Sequence, residues 1–92
     1  MTTTSTQSAE AIAERISRFL EERTKISWDP DTDLFDSGSV NSLFAMELVV
    51  FMEDAFDIEI AGPDLRLDNF RTVRVMTGLV QRLREADSDD HG

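Results

Sequence analysis

Ser42-Leu43-Phe44-Ala45-Met46-Glu47-Leu48-Val49-Val50-Phe51-Met52-Glu53-Asp54-Ala55-Phe56 decides how this chain folds. The stretch contains neither Gly nor Pro and is dense in Leu, Met, Ala and Glu, which lose little side-chain freedom in a helix. At 100° per residue Ala45, Leu48, Val49, Met52 and Phe56 gather into one arc, a face that must be buried. The opposite side carries Leu43, Glu47, Val50 and Asp54, with Met46 and Glu53 on one flank and Phe44 and Phe51 on the other. A purely solvated face would not place Leu and Val among acids, so this helix has two apolar faces and only one core to serve.

Toward the N-terminus, Ile12, Ile16, Phe19 and Leu20 recur at the spacing of an amphipathic helix. Ser8 is placed to cap it, Glu10 complements its dipole, and it should end near Arg23. A long connection, Thr24 to Val40, carries Pro30, Gly38 and several Asp and Ser punctuators, with Ile26, Trp28, Leu34 and Phe35 as expected anchors to the core. Toward the C-terminus, Asp57 to Pro63 breaks the central helix. Leu65, Leu67 and Phe70 suggest a short third helix, and Thr72 can cap a fourth in which Val73, Met76, Leu79, Val80 and Leu83 share a face. No segment alternates long enough to predict a strand. The expectation is an all-α, four-helix bundle with a long first loop and a short third helix. Its single domain would span 8–84, between disordered tails at 1–7 and 85–92.

The chain has 92 residues, enough for one domain with a thin core. A domain of this size buries roughly 60–65% of the surface its unfolded chain exposes. It has no cysteine, which excludes disulfides, thiolate metal sites and cysteine nucleophiles. The polar stretch Met1 to Ser8 lacks the basic and apolar regions of a signal peptide, and no apolar run approaches the ~18 residues of a membrane span. A cytoplasmic, monomeric protein is expected. The net charge is −10, and ten of the nineteen acids lie between Ile26 and Leu65, where there is no Lys or Arg. Such a field repels nucleic acid and anionic membranes and attracts basic protein surfaces.

Chemistry concentrates in Asp33-Leu34-Phe35-Asp36-Ser37-Gly38-Ser39-Val40-Asn41-Ser42-Leu43. A Gly-containing loop delivers Ser42 to the first residues of the central helix, where unsatisfied N–H groups and a partial positive charge favour an attached phosphate. Taken alone, a serine opening a helix is most often only a cap. Ser37 and Ser39 offer the same hydroxyl, but neither precedes Leu at a helix start, and both read as loop hydrogen-bonders. Asp29, Asp31 and Asp33 hint at a calcium loop. With Gly38 at position six, however, Phe35 and Phe44 fall at positions three and twelve, where ligands are needed. The single histidine, His91, lies in the expected tail, away from any Ser-His-Asp arrangement. No metal site and no catalytic group is expected.

The run Leu34-Phe35-Asp36-x-Gly38-x-x-Asn41-Ser42-Leu43 resembles the phosphopantetheine attachment motif of the acyl carrier protein family. The likeness continues through Glu47-Leu48-Val49, Glu53, Phe56 and Asp57-Ile58-Glu59-Ile60, resumes at Phe70-Arg71-Thr72-Val73, and covers about Ala9 to Leu83. The resemblance implies a carrier rather than an enzyme. A phosphopantetheinyl transferase would use coenzyme A to place a 4'-phosphopantetheine arm on Ser42, and the arm would hold an acyl group as a thioester. The family usually has Asp where this chain has Asn41, which keeps the capping ability and drops a charge.

In that family the central helix is read by partner enzymes. This implies a docking surface of Leu43, Phe44, Met46, Glu47, Val50, Glu53 and Asp54, facing acyl-loading and acyl-transferring enzymes with basic surfaces. Phe51 reads as core margin against the long loop. Asn41 to Ala45 running into Glu47-Leu48-Val49 and Phe51 is similar to free-standing carriers of polyketide pathways, including those for unusual extender units such as methoxymalonyl. Carriers of aminoacyl, D-alanyl or fatty acyl groups stay open, as does an unmodified helical interaction module in which Ser42 is only a cap.

Overall fold

The helices form where apolar residues recur at helical spacing and stop where that recurrence fails. The computed structural model describes residues 9–36, 38 and 40–89, with the backbone alone over 86–89. Helix α1 spans Ala9–Thr24, α2 spans Ser42–Phe56 and α3 spans Val73–Asp89. Two 3-10 turns, Gly62–Asp64 and Leu67–Phe70, lie between α2 and α3. No strand occurs among the described residues.

The expected all-helical class is therefore found, but the short third helix is a pair of 3-10 turns. The reason is local. Pro63 lacks an N–H, Asn69 donates its side-chain amide to the Asp64 carbonyl at 2.8 Å, and the Arg66 N–H turns to the same carbonyl at 2.9 Å. These bonds occupy groups that an α-helix would pair four residues apart, over a segment too short to nucleate one.

Each helix buries the arc its periodicity predicts, apart from Phe19 and Leu83, which are half-buried against the core. Ile12, Ile16 and Leu20 come from α1; Ala45, Leu48, Val49, Met52 and Phe56 come from α2; Val73, Met76, Leu79 and Val80 come from α3. Leu34, Val40, Ile58, Ile60 and Phe70 complete the core from the connections. The one buried polar side chain among the described residues, Thr77, donates its hydroxyl to the Val73 carbonyl at 2.9 Å and so is satisfied. Thr72 caps α3 as expected, its Oγ1 accepting the Val75 N–H at 3.0 Å. The α3 helix runs on to Asp89, past Glu85, where the C-terminal tail was expected to begin. Arg84, Glu85 and Ala86 are all good helix formers, and no Gly or Pro intervenes before Gly92. The expected N-terminal tail, the Ser8 cap, Ser37, Ser39 and His91 lie outside the described residues.

The long connection is anchored by Leu34, fully buried, and by Trp28 and Phe35, half-buried against the core. Ile26, expected among the anchors, is instead 40% exposed. At the end of α1, Lys25 adopts a left-handed conformation (φ 63°) and Thr24 then holds the exit. Its hydroxyl donates to the Leu20 carbonyl at 2.8 Å and accepts from the Ile26 N–H at 3.2 Å and the Trp28 indole Nε1 at 3.0 Å. That arrangement turns Ile26 outward and Trp28 inward. Val40, a lone apolar residue that no periodicity singles out, is buried just before α2.

Candidate functional site

The chain reaches α2 through a series of fixed turns. Asp33 Oδ1 accepts the Phe35 N–H at 2.9 Å and the Asp36 N–H at 3.2 Å, folding the backbone back on the aspartate. The next turn closes with the Gly38 N–H on the Phe35 carbonyl at 3.2 Å. Gly38 sits at φ +82°, which a side chain would strain. Buried Val40 then pins the strap to the core, and Asn41 caps the helix in an extended conformation, its Oδ1 accepting the Phe44 N–H at 2.9 Å.

Ser42 is thus the first residue of α2, and it is exposed. Helix geometry leaves the N–H groups of Ser42 and Leu43 without an intrahelical acceptor. The first turn of α2 holds no acidic residue, so its own side chains leave the positive end of the helix dipole uncompensated, whereas at the other end the Arg15 guanidinium of α1 donates to the Ala55 carbonyl at 3.1 Å. The donor set and its field fit an esterified phosphate at Ser42 and would oppose a cation there.

Downstream of Ser42 a stripe of exposed apolar side chains runs along α2: Leu43 is 74%, Met46 57% and Val50 64% exposed. With Asp54 they border an open groove of about 680 Å³, whose far wall is Phe19 and Arg23 of α1. Of the seven residues expected on the docking surface, Leu43, Met46, Glu47, Val50 and Asp54 share this face and are exposed. Two are placed otherwise. Phe44 is half-buried against the core, its ring 6.1 Å from that of Phe19. Glu53 is turned to the exit of α2, where its Oε2 accepts the Ile60 N–H at 2.9 Å. Phe51 is core margin as expected, but it stacks on Phe19 of α1 at 4.3 Å rather than on the long loop.

The acidic segment is less bare than its composition suggests. Arginines from outside it pair with Asp31 (Arg74), Asp33 (Arg71), Glu47 (Arg23) and Asp64 (Arg82). A hydrogen bond from Arg74 holds the Asp31 carboxyl below the usual range, and one from Arg71 does the same for Asp68. In return Asp68 and then Asp33 raise Arg71, and Asp31 raises Arg74. The aspartates that hinted at calcium are therefore used structurally: Asp29 Oδ1 accepts the Asp31 N–H at 2.9 Å, and the other two bind arginines. The four ion pairs join residues 18 to 43 positions apart, so no spacing rule announces them.

A family model described as "Phosphopantetheine attachment site" matches residues 10–80. Among curated proteins, the D-alanyl carrier protein of Streptococcus sanguinis (strain SK36) is 36% identical over 56 residues, covering 61% of this chain and 71% of that protein. D-alanyl carrier proteins of Streptococcus gordonii (strain Challis) and Streptococcus pyogenes serotype M1 show the same identity over the same shares.

Proposed function

Since the chain belongs to the phosphopantetheine attachment family, a group of carriers that are not themselves enzymes, we propose that its covalently attached 4'-phosphopantetheine is borne by Ser42. The observation that supports this most is the placing of an exposed serine as the first residue of α2, behind the Asn41 cap and the Gly38 turn. When attached, the arm supplies the thiol that holds the acyl group as a thioester. The chain's own residues supply the rest. Asn41 keeps the first turn of α2 closed, and the helix N-terminus favours the phosphodiester by about 0.3–1 kcal/mol, the range for an exposed anion. The carrier domain is assigned to 8–84, with α3 continuing beyond it to Asp89.

Carriers of this kind meet a phosphopantetheinyl transferase and acyl-handling enzymes. The surface we assign to those meetings is the stripe of Leu43, Met46 and Val50, flanked by Glu47 and Asp54, with Phe44 and Glu53 supporting it from the core margin and the α2 exit. Net charge −10 favours partners with basic surfaces. The described helices include none long and apolar enough to cross a membrane; the carrier is read as cytoplasmic and monomeric.

For the cargo, the likeness of Asn41 to Phe51 to polyketide carriers supports a short, oxygenated acyl unit such as methoxymalonyl. A second reading, D-alanyl or another aminoacyl group, is favoured by the names of the relatives. Both are small and polar, and both set this chain apart from carriers of long saturated chains.

Intact mass after incubation with coenzyme A and a broad-specificity transferase tests the attachment. One phosphopantetheine is expected, lost in Ser42→Ala and kept in Ser37→Ala and Ser39→Ala. An adduct on another serine, or none with several transferases, would favour the unmodified interaction module. Loading of the modified protein by a D-alanine-adenylating enzyme and by a malonyl-type acyltransferase, side by side, separates the two cargo readings.

A further inference from the structure

Residue 71 fastens the loop that carries Ser42 to the far side of the molecule, and it does so twice. Its carbonyl accepts the Leu34 N–H at 2.7 Å, next to a fully buried side chain. Its guanidinium donates through Nη1 to Asp33 Oδ2 at 3.1 Å, outside that backbone bond. The guanidinium is oriented from behind, because its Nε donates to Asp68 Oδ1 at 2.8 Å. Asp33 in turn spends its other oxygen on the Phe35 and Asp36 N–H groups, and the Phe35 carbonyl closes the Gly38 turn. One continuous set of bonds therefore runs from Asp68 through Arg71, Asp33 and Phe35 to Gly38, four residues before Ser42.

We propose that Arg71 is a positioning residue for the modification of Ser42, acting through Asp33 on the turn that leads into α2; the inference rests on Ser42 being the attachment point. The backbone bond alone fixes where Leu34 sits. The guanidinium, forked between Asp68 and Asp33 with one bond to each, fixes which way the Asp33 carboxylate faces, and so whether its other oxygen meets the two N–H groups that shape the turn. Removing the fork leaves the core and α2 intact but lets the turn sample other arrangements. A transferase that needs one arrangement then binds more weakly in proportion to the fraction lost, while the chemical step on the competent fraction is unchanged.

Transferase kinetics with the full chain as substrate test this. Arg71→Gln should raise KM for the carrier about three- to tenfold and leave kcat within about twofold, as a loss of competent population requires. Asp33→Asn keeps an oxygen for the two N–H groups and removes the charge, and it should match Arg71→Gln. The double variant should be no worse than either single one, because both remove the same interaction. Arg71→Lys, with the charge but not the fork, should fall between. Hydrogen exchange on the unmodified protein gives a readout free of the transferase. In Arg71→Gln the Phe35 and Asp36 amides should exchange faster, with Leu48 and Met52 unchanged. Unaltered KM in both single variants, additive effects in the double, or faster exchange throughout the helices would each overturn the proposal. If wild-type protein is modified at another residue, the attachment reading falls and the positioning role with it. If wild-type is modified at Ser42 and the variants equally well, only the positioning role falls.

Discussion

Asn41 is the residue whose replacement most directly tests how α2 is started. Its Oδ1 is the side-chain acceptor for the Phe44 N–H, and no acidic residue in the first turn can take over the dipole. Asn41→Ala should cost about 1 kcal/mol, the middle of the range for losing a cap, since the site is exposed and water can partly replace the acceptor. For a domain of this size that lowers Tm by about 4–8 °C. Asn41→Asp keeps the acceptor and adds a charge at the positive end of the helix, and it should gain about 0.3–1 kcal/mol. The sign with pH follows. The helix depresses the introduced carboxyl in the folded state, so the gain is present above the unfolded pKa of about 3.9 and is lost as pH falls through the lower folded value. Thermal melts by circular dichroism at pH 7 and at pH 3, run on all three proteins, measure both effects. If Asn41→Ala melts with wild type, the cap does not hold the helix start. If Asn41→Asp keeps its advantage at pH 3, the gain is not electrostatic.

Three further outcomes are expected. Gly78 lies inside α3 with open space where a Cβ would go, so Gly78→Ala should raise stability by about 0.5–1 kcal/mol in urea titration. Val50→Asp, on the exposed stripe, should leave helicity intact and stability within about 0.5 kcal/mol. It should weaken acyl transfer to a cognate partner by about 1–2 kcal/mol, and wild-type transfer should slow as salt rises through about 0.1 M. The hydrogen bonds from Arg74 and Arg71 hold the folded Asp31 and Asp68 carboxyls below the ordinary aspartate value, so both add stability above that value and lose it as pH falls through the lower folded one. Urea midpoints from pH 7 to 3 should therefore fall less steeply in Arg74→Gln and Arg71→Gln than in wild type.

The parts of the fold that could be read in advance are those set by one helix at a time. The buried arc of Ala45, Leu48, Val49, Met52 and Phe56 follows from 3.6 residues per turn, and so do the faces of α1 and α3. The Asn41 and Thr72 caps follow from residue type and place. What escaped depends on contacts between distant segments. Ile26 and Val40 are equally apolar loop residues; the left-handed Lys25 and the Thr24 bonds turn the first outward, while the second is buried just before α2. Glu53 and Phe44 lie at the edge of the outward face by angle, yet a backbone N–H seven residues on and a ring on another helix claim them. The acidic run looked unopposed because its arginine partners stand outside it in the sequence.

Trp28 has a consequence of a practical kind. It is the only tryptophan in a chain without tyrosine, so near-ultraviolet emission from this protein has one dominant source. Its indole N–H is tied to Thr24 Oγ1 and its ring is half-buried where the long connection leaves α1. Undocking of that connection breaks the bond and wets the ring, shifting the emission to the red. The molecule thus carries a built-in optical gauge of its long first connection. Stopped-flow fluorescence can follow that segment, without any added dye, during incubation with a phosphopantetheinyl transferase.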